Sequence, residues 1–128
     1  MLGDRPDAPH LPRPAPIDAY GDGGFRFAGM SHRGSLLCFP DGIWAWPVNG
    51  VAELNADTLS AAFERAENLD FFLIGTGREL CALPAHLRER FRQLSLSVDG
   101  MATGAAVRTY NILLAENRRV GAGLIAVA

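Results

Sequence analysis

Two short segments carry residue types from which a ligand site could be built. Gly75-Thr76-Gly77-Arg78 follows the apolar run Phe71-Phe72-Leu73-Ile74, and Met101-Ala102-Thr103-Gly104 follows a shorter run around Leu96 and Val98. If both runs are parallel strands, their carboxyl ends lie at one edge of a sheet, the usual place for a binding crevice in an open α/β fold. A helix beginning at Thr103 or Gly104 would face the Gly75–Arg78 loop with free N–H groups and the positive end of its dipole, which favour an anion or carboxylate. Arg108, about one turn later, has two readings. It turns back to add a charge-assisted bond at that end, or it pairs with Glu79 or Asp99. Tyr110-Asn111 is polar for mid-helix, so the asparagine is expected to be hydrogen-bonded, either bracing the core or meeting a ligand.

Familiar catalytic constellations do not fit. A dinucleotide loop needs a third glycine where Leu80 stands, and Asp99 falls out of register for a ribose. All twelve basic residues are arginine, which excludes a Schiff-base lysine and a lysine-dependent phosphate loop. Cys38 lies in the run Leu36-Leu37-Cys38-Phe39 as a small hydrophobe, and neither it nor Cys81 has a histidine within four residues in sequence. His32 sits beside Ser31 in a glycine-flanked bend and His86 on an arginine-rich helix, so no metal site is expected. Arg88, Arg90 and Arg92, interrupted by Glu89, read as a solvated face. With a net charge of −2, nucleic acid is not an expected partner. No catalytic residue and no cofactor are expected. Trp44 and Trp46 alternate on a strand and read as core, with a partner-binding patch as the second reading.

The elements that would position these residues follow from patterning. A chain of 128 residues is the size of one domain. Prolines at 6, 9, 12, 14 and 16 predict an extended, poorly packed arm over residues 1–16, followed by one domain over 17–128. Ile17–Tyr20 and Phe25–Phe27 read as a hairpin about Gly21-Asp22-Gly23-Gly24, with a bend at Gly29-Met30-Ser31 and strands at 35–39 and 43–46 around Pro40-Asp41-Gly42. This half is expected to be an antiparallel meander. A helix capped by Asp57 carries Leu59, Ala62, Phe63 and Ala66 on one face, and Asn68 is expected to stop it in a left-handed conformation. Strand, helix from Pro84, strand, helix from Thr103 and closing strand 120–127 then form a βαβαβ unit with parallel strands and right-handed crossovers. Gly121 and Gly123 allow a neighbour close approach. The fold class is α/β (α+β). The arm carries no apolar central region and no run is long enough to span a bilayer, so a cytoplasmic location is expected, with membrane association at most peripheral.

Tyr20-Gly21, Phe25-Arg26-Phe27, Gly75-Thr76-Gly77 and above all Met101-Ala102-Thr103-Gly104-Ala105-Ala106-Val107-Arg108-Thr109-Tyr110-Asn111, with Arg118-Arg119-Val120, resemble a small bacterial domain family of unassigned biochemistry. Its eukaryotic relatives include a mitochondrial assembly factor of respiratory complex I and a protein associated with adipogenesis. The resemblance spans residues 17–127 and implies a three-layer β+β/α fold without an established enzyme activity. It further implies an assembly or interaction role, with respiratory complex subunits as protein partners. The competing reading is a small-molecule or anion-binding protein, a weak enzyme at most, using the strand-end crevice. An open, polar crevice favours the second reading and a filled one the first.

Overall fold

The computed structural model describes residues 8–128, so the expectation for the first seven residues of the arm lies outside them. Ile17–Gly21 (β1), Gly24–Phe27 (β2) and Met30–Arg33 (β3) form a three-stranded antiparallel sheet. Its turns, Asp22-Gly23 and Ala28-Gly29, have both central residues at positive φ, the mirror-image turn whose twist matches the flanking strands. The second turn differs from expectation. The bend is at Ala28-Gly29, and Met30-Ser31 begins a strand.

Ser35–Phe39 (β4) and Gly42–Trp46 (β5) leave that sheet and join the second one, so the expected single meander is split in two. The five-stranded sheet is ordered β5-β4-β8-β6-β7, with β6 at Phe71–Gly75, β7 at Ser97–Met101 and β8 at Val120–Leu124. β6 pairs in parallel with both β7 and β8, and β4 pairs antiparallel with β5 and β8. Steps from β6 to β7 and from β7 to β8 run in opposite directions across the sheet. Crossovers of one hand therefore place Ala85–Gln93 (α2) and Thr103–Ala115 (α3) on opposite faces. The short helix Ser60–Glu64 (α1) shares the α2 side.

Each face has its own core. On the α2 side, Phe39, Phe72 and Phe91 stack in series with centroids 5.9 and 5.7 Å apart, while Trp46 and Leu87 fill the flanks. Gly121 and Gly123 of β8 lie under this layer. A Cβ at Gly123 would stand 2.7 Å from the Trp46 ring, so the glycine is what lets the indole lie on the sheet. On the α3 side, Ala106, Val107 and Tyr110 pack with Ile17, Phe25 and Phe27 over Cys38, Leu73 and Ala122. The result is three layers, the three-stranded sheet sharing the α3 face.

Two local expectations need correction. Asp57 does not cap α1. The side chain of Asn55 accepts from the N–H groups of Asp57 and Thr58, both at 2.9 Å, and the following turns are too tight to form a long helix. Asn68 ends a short 3₁₀ turn, Ala66–Asn68, and is not among the positive-φ residues.

The arm also departs from expectation. Proline removes its own donor but leaves its neighbours' groups free. His10 donates its N–H to Ile43 O at 2.8 Å and Leu11 O accepts from Ile43 N at 2.9 Å, which covers the outer edge of β5. Ala15 is buried beside α3. Leu11 and Ala15 are therefore packed against the domain, while His10, Pro12, Arg13 and Pro16 stay exposed.

Candidate functional site

α3 begins at Thr103 with its N-terminus against the Gly75–Arg78 loop, as parallel pairing of β6 and β7 requires. Gly75, Thr76, Gly77, Met101 and Thr103 converge there. Thr103 is fully buried, and its hydroxyl donates to Ile125 O at 2.7 Å while accepting from Gly77 N at 2.9 Å. Its own N–H donates to Gly77 O at 2.8 Å. One side chain thus ties together the ends of β6 and β8 and the start of α3. Gly75 permits this, since a Cβ there would stand 2.9 Å from the Thr103 hydroxyl and 3.0 Å from its Cα.

Thr76 closes the loop in the same manner. Its N–H donates to Met101 O at 2.8 Å, its hydroxyl reaches Glu79 O at 2.7 Å, and that hydroxyl accepts from Cys81 N at 3.1 Å. The two hydroxyls of the junction and the amides of Thr76, Gly77 and Thr103, which a nest for an anion would offer, are occupied by the fold itself. Arg78 is exposed and donates to Ala128 O at 3.1 Å. Gly104, at the first turn of α3, is covered by the Tyr20 phenol, which stands where a Cβ would project.

The remaining candidates lie elsewhere. Arg108 is exposed, and among the described residues neither Glu79 nor Asp99 forms an ion pair with it. Tyr110 is fully buried, donates to Ala15 O at 3.2 Å, and abuts Cys38. Burial raises its phenol well above the usual range and pushes the Cys38 thiol up to about 12. Neither is a nucleophile at neutral pH. Asn111 binds Ile17 through both main-chain groups: Oδ1 accepts from Ile17 N and Nδ2 donates to Ile17 O, each at 2.9 Å. The amide mimics one more peptide unit of a ladder and holds β1 to α3, which is the core-bracing alternative.

Patterning did not reveal the part played by Arg65. Its guanidinium meets both Asp41 oxygens at 3.0 and 3.1 Å and lies 4.4 and 4.8 Å from the Phe39 and Trp44 ring centroids. The ion pair holds the Asp41 carboxyl below its ordinary pKa. The stack also settles the tryptophans: Trp46 is core, donating from its indole to Thr58 O at 2.7 Å, and Trp44 is half-covered by arginine. Ser35, likewise unremarked in the sequence, is buried with its hydroxyl on Val48 O at 2.6 Å while accepting from Ala126 N at 2.9 Å. No helix among the described residues is long and apolar enough to cross a membrane.

Residues 17–125 match the family described as "Protein of unknown function (DUF498/DUF598)", and the chain belongs to it. An uncharacterized protein of Rhodobacter capsulatus is 38% identical over 120 residues, covering 94% of this chain and 91% of that one. The NADH dehydrogenase [ubiquinone] 1 alpha subcomplex assembly factor 3 of Drosophila melanogaster is 31% identical over 112 residues, covering 85% of this chain. That match takes in 57% of the assembly factor, so the chain spans rather more than half of its length. Among solved structures, one described as an outer membrane protein of Bartonella henselae superposes with a TM-score of 0.88 at 51% identity, covering 93% of this chain and all of that one.

Proposed function

We propose that this member of the family is a non-catalytic assembly or interaction protein, that it serves the assembly of a respiratory complex, and that its partners are subunits of that complex. The observation that carries the reading is the similarity to a complex I assembly factor across most of the fold. The strand-end junction adds support from chemistry. Its two convergent hydroxyls and the amides of Thr76, Gly77 and Thr103, which an anion-binding protein would leave available, are paired within the chain. On this reading Gly75, Thr76, Gly77, Met101, Thr103, Gly104, Tyr110 and Asn111 hold the fold that presents the interacting surface, and Arg78 and Arg108 belong to that surface. The protein works in the cytoplasm, where the free thiols Cys38 and Cys81 stay reduced, and meets membranes at most peripherally. Nucleic acid is not a partner in this reading.

The test is made in the protein's own cells. Tagged protein is purified and the co-purifying chains are identified by mass spectrometry, while a deletion strain is assayed for assembled NADH dehydrogenase on native gels. Enrichment of respiratory subunits together with reduced assembled complex is expected. An unchanged amount of assembled complex in the deletion strain refutes the reading.

A further inference from the structure

The two ends of the five-stranded sheet are finished differently. β5 is covered by His10-Leu11, whereas among the described residues no strand or bridge pairs with the outer edge of β7. An open edge is a row of unpaired main-chain groups and a template for another strand. The direction of those groups follows from one bond. Met101 O accepts from Thr76 N, so Met101 faces β6. Parallel ladders alternate, which turns Ser97 and Asp99 inward as well and leaves the N–H and C=O of Val98 and Gly100 facing out.

What flanks this edge is also uneven. On the α2 side a groove of about 460 Å³ runs along Ser97 and Val98 and is lined by Arg88 and Arg92, with no acidic residue. A second groove of about 380 Å³ continues past Leu83 to Gly100, with both Arg88 and Asp99 in its wall, so the positive stretch is the part along Arg88 and Arg92. Arg92 is already paired with Glu89, but Arg88 has no ion-pair partner among the described residues.

We propose that the outer edge of β7 is a docking edge for an extended segment of a protein partner with acidic side chains facing Arg88 and Arg92. The segment adds as a sixth strand, bonding to the main chain of Val98 and Gly100. A second copy of this chain is a poor occupant. Antiparallel self-pairing about a two-fold axis puts both α2 helices on one face, so the arginines meet each other, and brings the Asp99 carboxylates together at the centre of the joint. The proposal deepens the assembly reading and rests on it for the presence of a partner.

The full isotope-labelled chain is titrated with two synthetic hexapeptides, one alternating Thr and Glu and the other alternating Thr and Lys, with amide shifts followed. Saturable shifts and slowed exchange at Val98 and Gly100 are expected with the Glu peptide, and affinity about tenfold lower with the Lys peptide, as two surface charge contacts provide. The double variant Arg88→Glu/Arg92→Glu, confined to the helix surface, should invert that preference. Val98→Pro removes an outward N–H that an edge strand can lose without unfolding, and should abolish the response. No shift at these two amides up to about 1 mM peptide, equal response to both peptides, or β7 shifts on concentrating the protein alone overturns the proposal. If Val98→Pro folds and still co-purifies with respiratory subunits, the edge is refuted while the assembly reading stands. Absence of those subunits with the unaltered chain refutes that reading instead.

Discussion

Removing residues 8–16 should destabilise the domain, although these residues form no regular element. The comparison is between a chain starting at Ala8 and one starting at Ile17. The shorter chain loses the two short main-chain bonds between the arm and Ile43, a longer third at 3.4 Å from Leu11 N, and the bond from the Tyr110 hydroxyl to Ala15 O. Each contributes about 1 kcal/mol, and the partly buried Leu11 adds a similar amount. Releasing nine ordered residues offsets part of this, an offset that prolines at 9, 12, 14 and 16 reduce by already restricting the unfolded arm. The net loss is about 3 kcal/mol. For a domain of this size that lowers the thermal midpoint by about 10 °C. Calorimetry on both chains measures it, and Tyr110→Phe supplies an internal check. In the longer chain the variant leaves Ala15 O unpaired and costs about 1 kcal/mol, while in the shorter chain the hydroxyl keeps only its contact with Cys38 and its removal costs less. A midpoint difference below about 3 °C, or an equal effect of Tyr110→Phe in both chains, refutes the reasoning.

Three further outcomes test the core and the junction. Phe72→Ala removes the middle ring of the Phe39–Phe72–Phe91 stack and should cost about 3–5 kcal/mol in urea unfolding; a loss below about 1 kcal/mol would mean the layer is not packed as described. Thr103→Val leaves Gly77 N and Ile125 O without a partner and should cost about 2–4 kcal/mol, with Thr103→Ser recovering most of it. Cys38 should resist a thiol reagent at pH 8 in the folded protein while Cys81 reacts, so one thiol is counted natively and two in denaturant. The Cys38 thiol also predicts alkaline behaviour. Its folded pKa of about 12 exceeds its ordinary 9.0, so the stabilisation is complete below pH 9 and is lost as pH rises towards 12, at about 1.4 kcal/mol per pH unit. The buried Tyr110 phenol acts in the same direction.

How much of this was legible in the sequence depends on the range of the signal. The βαβαβ unit was readable because each element is written locally: the run at Phe71–Ile74, Pro84 ahead of α2, and the apolar spacing of α3. The start of α3 at Thr103, facing the β6 loop, followed from the same pattern. The split of the meander was not readable, because β4 follows β3 directly in the chain and, although it is apolar on both faces, only its pairing with β8, more than eighty residues later, assigns it to the second sheet. The third strand was missed because Met30–Arg33 is polar on one side and half-exposed on the other, a weak pattern beside the glycine preceding it. The arm was misread for a similar reason. Proline density reports what those residues cannot donate, and says nothing of what Ala15 O or Leu11 O can accept.

The strand-end junction shows why residue types at the right place do not by themselves make a site. Glycines, a threonine at a helix start and parallel strand ends are the parts of an anion nest, and the fold does bring them together. What decides between nest and staple is where the Thr103 hydroxyl points, and no spacing encodes that. With the hydroxyl turned to Ile125 O and the Gly77 amide turned to the hydroxyl, both of these donors are spent internally. A ligand would have to displace two buried bonds to gain comparable ones. This exchange is near neutral at best, since a buried group stripped of its partner costs about 1–3 kcal/mol before any new bond forms. A row of unspent main-chain groups lies on β7, where Val98 and Gly100 face outward beside Arg88. Recognition by main-chain pairing needs such a row, and recognition by a closed loop does not leave one.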